Sequence, residues 1–110
     1  MAVTPSEQSW LNAFSRALKS AAGDNVRRVT IFGSKARGDD NPESDLDVLV
    51  IIKDGAAGSK RKLRRVGYRL AATGEVVPSI HVYTEGEWES RKRSGSLFRQ
   101  RVEHDEIRVL

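Results

Sequence analysis

The chain contains no cysteine, which excludes disulfides and thiolate chemistry and makes a reducing compartment acceptable. It also lacks any long apolar run. The longest, Val48 to Ile52, is far short of the ~20 residues that a membrane-spanning helix needs. Met1 is followed by Ala2-Val3-Thr4-Pro5-Ser6, with neither a basic region nor an apolar stretch of the kind that opens a secretory leader. Aromatic residues are sparse and not interleaved with basic ones, as a surface for stacking single strands would require. Helix-turn-helix patterning, zinc-ligand spacing, internal repeats and low-complexity segments are also missing. These absences lead us to expect a soluble cytoplasmic protein with no membrane partner.

What remains is a basic chain of ordinary domain size. With 110 residues, a single domain over 1–110 is expected, and a hydrophobic fraction of 38% suffices for one core. So short a chain leaves little room for a second substrate-holding wall, so a large substrate or another subunit would have to form it. Nineteen basic residues against fifteen acidic ones give a net charge of +4. That excess favours anionic ligands without separating nucleotide from nucleic acid.

Periodicity predicts an α+β fold. Thr4-Pro5-Ser6-Glu7 reads as a capping box that opens a helix, with Leu11, Phe14, Leu18 and Ala21 on its inner stripe, Trp10 beside it, and Gly23 as its stop. Val26 to Phe32 is a β-branched strand, and Leu46 to Ile52 an apolar strand covered on both faces. Between them, Lys35-Ala36-Arg37 suits one helical turn and Asp39 to Ser44 a polar loop. Gly55 to Ser59 reads as a flexible connection to an amphipathic helix whose inner residues are Leu63, Val66, Leu70 and Ala71, closed by Thr73-Gly74. A third strand, Glu75 to Tyr83, contains Pro78 and is therefore assigned to an edge or a bulge. Thr84-Glu85-Gly86-Glu87 is a second capping box, for a short helix carrying Trp88 that Ser94-Gly95-Ser96 breaks. Leu97 to His104 forms a last helix, and Ile107 to Leu110 a closing strand.

Two small features draw attention to the first strand connection. Gly33-Ser34 ends the first strand, where glycine lets the backbone approach a phosphate and the serine hydroxyl can bond its oxygens. Asp45 and Asp47 stand two apart at the start of the second strand, so their carboxylates share a face. Paired hard oxygen ligands suit Mg2+, which binds through a few carboxylates plus substrate phosphates. The eleven-residue path from Ser34 to Asp45 brings both features to the same end of neighbouring strands. Lys35 and Arg37 are candidates to steady the phosphates.

The stretch Gly33-Ser34-Lys35-Ala36-Arg37-Gly38 through Ser44-Asp45-Leu46-Asp47 resembles the signature of the polymerase-β-like nucleotidyltransferase superfamily, and in particular its minimal nucleotidyltransferases. The resemblance implies that family's fold, a small mixed sheet with helices packed mainly on one face. It implies transfer of an AMP-type nucleotidyl group from an NTP, expected to be ATP, to an acceptor hydroxyl with Mg2+ as cofactor. By motif, Gly33 and Ser34 carry over as nucleotide-binding residues and Asp45 and Asp47 as catalytic metal ligands. Small stand-alone members often accompany a HEPN-type partner in toxin–antitoxin pairs, and the tail from Gly95 to Leu110 looks like the end of such members.

In one respect the sequence departs from that family. Active members usually have a third carboxylate on the next strand, at the place where this chain has Ser79. His81 has the same strand parity and is a candidate base or phosphate donor, since an imidazole titrates near neutrality. Two other readings therefore stand beside the enzyme: a catalytically weak fold that neutralises a partner by binding it, and a basic nucleic-acid-binding module built on Lys60 to Arg65.

Overall fold

A computed structural model of the chain describes residues 2–39, 43–72 and 74–110. Parts of the expected polar loop (Asp40, Asn41 and Pro42) and of the expected helix stop (Thr73) lie outside the described residues. The element order is α1 (Pro5–Ala22), β1 (Val26–Phe32), α2 (Gly33–Arg37), β2 (Leu46–Ile52), α3 (Lys60–Ala71), β3 (Pro78–Thr84), α4 (Glu85–Arg93), α5 (Leu97–Asp105) and β4 (Ile107–Arg108). The strands form one mixed sheet in the order β3-β2-β1-β4. β1 is antiparallel to β2 and β4, while β2 and β3 are parallel and joined by the α3 crossover.

The alternation of side chains along β2 divides the core in two. Leu46, Val48, Val50 and Ile52 face the main core with Leu11, Phe14 and Leu18 of α1 and Leu63 of α3. Leu49 and Ile51 face a smaller cluster made with Phe32, Trp88 of α4 and Val102 of α5. β2 is thus buried from both sides, as its unbroken apolar sequence predicts, and Asp47 belongs to the smaller-cluster side.

The caps form as expected. In α1, Thr4 accepts a hydrogen bond from the Glu7 amide at 3.1 Å, and Glu7 accepts one from the Thr4 amide at 2.9 Å. Thr84 and Glu87 repeat the arrangement at α4. β3 is an edge strand with Pro78 as its first residue, where the missing N–H costs no ladder bond.

Four expectations need correction. β3 begins at Pro78 rather than Glu75. Residues Asp54–Ser59 coil into a 3-10 helix, held where the Gly86 amide donates to Asp54 Oδ1 at 2.8 Å. Ala21 is exposed, because in the last turn of α1 it is the neighbouring Ala22 that packs against the core. Leu70 is likewise exposed, because α3 meets the sheet through Leu63 and Gly67. A Cβ on Gly67 would come within 2.4 Å of Ile80 Cδ1 and 3.0 Å of a Phe14 ring carbon, so glycine sets how closely α3 approaches the sheet. Trp10 anchors the same contact from α1, stacking on Phe14 and donating its indole N–H to the Gly67 carbonyl at 3.0 Å. Among the described residues, no helix is long and apolar enough to cross a membrane.

Candidate functional site

The two sequence features meet at one end of the sheet. Phe32, the last residue of β1, pairs with Asp47 of β2, so Gly33 leaves β1 directly beside that carboxylate. Gly33 has φ +75°, and a Cβ built on it would stand 2.3 Å from Asp47 Oδ2. This gives the glycine a reason that spacing alone did not supply: the close approach it permits is first of all that of the Asp47 carboxylate. The turn continues into α2 and closes at Gly38, whose amide, with that of Asp39, donates to the Ser34 carbonyl. Ser34 itself is half-buried at the start of this turn.

Asp45 lies exposed just before β2, close enough for its charge to act on Asp47. Burial first, and the Asp45 charge second, push the Asp47 carboxyl above its ordinary range, while Arg37 pulls partly the other way. Among the described residues, neither aspartate has a basic side chain within ion-pair distance. A half-buried carboxylate beside a second one supplies two hard oxygen donors. Among the described residues no group of three or more His, Cys, Asp or Glu is placed to hold a metal ion, which leaves the kind of partial set that Mg2+ completes with waters and phosphates. The residues present therefore fit Mg2+.

The third position is serine. In the parallel pairing of β2 with β3, Asp47 stands opposite Ser79 and Leu49 opposite His81. The Ser79 hydroxyl and His81 Nε2 are 3.2 Å apart. The imidazole sits between Phe32 and Phe98, with centroid distances of 5.5 and 5.4 Å. Burial, and then the charge of Arg91, hold its pKa below the usual histidine value, so it is neutral and able to accept a proton at neutral pH. The structure thus brings Gly33, Ser34, Asp45 and Asp47 to one end of the sheet and places Ser79 with His81 on the neighbouring strand.

The two basic candidates part company. Arg37 stays exposed, and its charge reaches Asp47. Its guanidinium is gripped by Asp105 at 2.8 Å and Asp39 at 3.0 Å, which raise its pKa further. Lys35, expected beside the phosphates, turns into the protein instead. It is 2% exposed and pairs with Glu7 of α1 at 3.3 Å. A cation buried so deeply cannot reach a ligand in solvent. It acts by fastening the Gly33-Ser34 turn to α1.

Sequence reasoning missed Asp105. Its side chain is 7% exposed, and its two oxygens bond Arg37 and His104, which lowers its pKa, the His104 contact most. A cavity of about 490 Å³ opens here between α2 and α5, lined by Arg37, Leu97, Gln100, Arg101, His104 and Asp105. The separation of 68 residues between Arg37 and Asp105 left no local signal for the contact.

Comparison with known proteins agrees with this geometry. A family model described as a nucleotidyltransferase domain matches residues 11–105. A protein of Methanocaldococcus jannaschii, provisionally named a protein adenylyltransferase, is 31% identical over 74 residues, spanning 66% of this chain and 75% of that one. A second protein of that organism with the same provisional name is 40% identical over 45 residues, 41% of this chain and 45% of the other. The crystal structure of a provisionally described nucleotidyltransferase from Sulfolobus solfataricus superposes with a TM-score of 0.55 at 26% identity, covering 94% of this chain and 81% of that one.

Proposed function

The chain belongs to the nucleotidyltransferase-domain family, and from that membership we propose that it transfers an AMP-type group from ATP to a hydroxyl of a protein acceptor, with Mg2+ as cofactor. The observation that carries this reading is the approach of Gly33 to Asp47: a backbone kept bare so that an uncompensated carboxylate can sit beside the Gly33-Ser34 turn. Nothing in a stable core asks for that arrangement, since burial and the Asp45 charge both disfavour the ionised form of Asp47.

In this mechanism the backbone and hydroxyl of Gly33-Ser34 bind the phosphates, and Asp45 and Asp47 hold the metal. When bound, the metal lowers the pKa of the acceptor hydroxyl and neutralises the phosphates. Arg37, braced by Asp39 and Asp105, offers positive charge to the departing pyrophosphate. His81, neutral and bonded to Ser79, takes the acceptor proton in place of the missing carboxylate. The acceptor hydroxyl attacks the α-phosphorus, the bond to the β-phosphate oxygen breaks, and pyrophosphate leaves.

The provisional names of the relatives point to a protein acceptor, and the sequence resemblance points to a HEPN-type partner in a toxin–antitoxin pair. Ser79 opposite Asp47 favours a second reading, in which catalysis is slow and the chain neutralises its partner mainly by binding it. Incubation with α-labelled ATP, Mg2+ and a HEPN-type protein decides between them. Label on the partner that disappears with Asp45→Asn supports the transferase. Partner binding that survives Asp45→Asn, with no label in either case, supports the second reading. Absence of any divalent-dependent ATP binding would sink the site assignment itself.

A further inference from the structure

Four basic residues of the chain share one face of one helix. On α3 (Lys60–Ala71), Leu63 and Gly67 face the sheet, and Tyr68 turns toward β3, its hydroxyl accepting the Ile80 amide at 3.1 Å. Leu70 and Ala71 line an apolar groove toward α1. At 100° per residue, Arg61, Lys62, Arg65 and Arg69 fall together on the remaining, outward face. All four are exposed, and among the described residues none has an acid within ion-pair distance. Lys60, by contrast, pairs with Glu87 at 2.6 Å.

Two aspects distinguish this stripe from an ordinary solvated face. Arg61, Arg65 and Arg69 succeed one another at i, i+4, the spacing at which like charges repel and weaken a helix. Folding alone gains nothing from it. Moreover, five basic residues fill the six positions from Lys60 to Arg65, and among the described residues a single ion pair, that of Lys60 with Glu87, meets them.

We propose that the Arg61-Lys62-Arg65-Arg69 face of α3 binds the phosphate backbone of a nucleic acid. Its chemistry separates that occupant from an acidic protein. Protein interfaces are built around an apolar or aromatic centre from which charges are depleted. The stripe itself carries no apolar residue: the groove lies on the α1 flank, and on the other flank the half-exposed Tyr68 ring is a lone aromatic whose hydroxyl is fixed to the Ile80 amide. It offers instead one guanidinium per turn, about 6 Å apart, a regular ladder for a regularly charged polymer. The four residues belong to the side of the sheet opposite Asp47, so this binding does not depend on the transfer chemistry.

The test is fluorescence anisotropy of the full chain with labelled mixed-sequence single-stranded RNA and duplex DNA across a salt series. Four phosphate contacts give a slope of log K against log[salt] of about −2.8 for a single strand and about −3.6 for a duplex. Affinity then falls roughly 50- to 150-fold between 50 and 200 mM salt. The quadruple variant R61Q/K62Q/R65Q/R69Q loses binding while melting no lower than wild type and keeping nucleotidyl transfer. The single variant Arg65→Gln flattens the slope by about 1. The tighter of the two arms names the natural source. The proposal is overturned if the quadruple variant binds as tightly as wild type, or if wild type shows no salt-dependent binding. It also falls if a polyglutamate peptide displaces the nucleic acid at equal charge concentration, which would make the stripe a dock for an acidic protein.

Discussion

The substitution Lys35→Met asks whether the lysine beside the glycine turn is a ligand or part of the core. Its ammonium is 2% exposed and faces the Glu7 carboxylate, 7% exposed, at 3.3 Å. Methionine fills a similar volume but leaves that carboxylate buried, with the Thr4 amide as its remaining donor. Removing one partner of a buried pair costs about 3–5 kcal/mol, a large share of the ~5–15 kcal/mol that stabilises a domain. For a chain of 110 residues, each kcal/mol is worth roughly 4 °C, so a fall in Tm of ~12–20 °C is expected. Urea denaturation followed by fluorescence of the buried Trp10 measures the loss. Adding Glu7→Gln should recover much of it, giving a coupling of ~0.5–3 kcal/mol in a double-mutant cycle. ATP affinity in the fraction still folded should hardly change. The reasoning fails if Lys35→Met melts within ~3 °C of wild type while binding ATP tenfold more weakly, because Lys35 would then be holding phosphate.

Four further substitutions probe the site. Ser79→Asp places a carboxylate opposite Asp47 and should raise the transfer rate about 10²–10⁴-fold, measured as labelled acceptor formed per minute. Gly33→Ala should cost about 1–2 kcal/mol of backbone strain and leave a folded protein. Because the new methyl must displace Asp47, its activity should fall about 10²-fold. In Asp47→Asn the sign follows from the raised pKa. The stability this group contributes is present below its unfolded pKa and lost as pH rises through the folded one, so at neutral pH the ionised carboxylate is a burden. The variant should melt higher than wild type at pH 7 in metal-free buffer, the gap should close in acid, and transfer should vanish. His81 runs the other way. Its folded pKa is depressed, so its contribution is present above the unfolded value of 6.5 and lost as pH falls through the folded one. His81→Gln should therefore flatten the stability curve below pH 6.5 relative to wild type.

Much of this was legible because local rules decided it. Thr4 and Thr84 announce their helices through side chains three residues away, and Val26 to Phe32 and Leu46 to Ile52 carry strand chemistry that no turn signal interrupts. The meeting of Gly33 with Asp47 was legible too, since a short connection between adjacent strands leaves little freedom. What escaped was decided at a distance. Glu7 and Lys35 look like surface residues in sequence, and only the packing of α2 under the start of α1 buries them together. Asp105 is the last residue of α5, and nothing near it in sequence reveals that the helix will bring it to Arg37. Leu70 keeps helical period with Leu63 yet lies outside the contact, because Gly67 rather than a larger residue sets where α3 touches the sheet.

The alternation that places Asp47 beside Val48 on β2 also bears on how faithfully the chain folds. A strand as apolar as Leu46 to Ile52 could pair with its neighbours in several registers, and greasiness alone would scarcely choose among them. A slip by one residue would send Asp47 into the main core among Phe14, Leu18 and Leu63, where no cation awaits it, and drag Val48 to the site. The carboxylate that burdens the native state thus penalises every odd-numbered misalignment far more heavily. Asp47→Asn, for all its added thermal resistance, should refold with a larger misaligned fraction, because the residue that serves chemistry also proofreads the sheet.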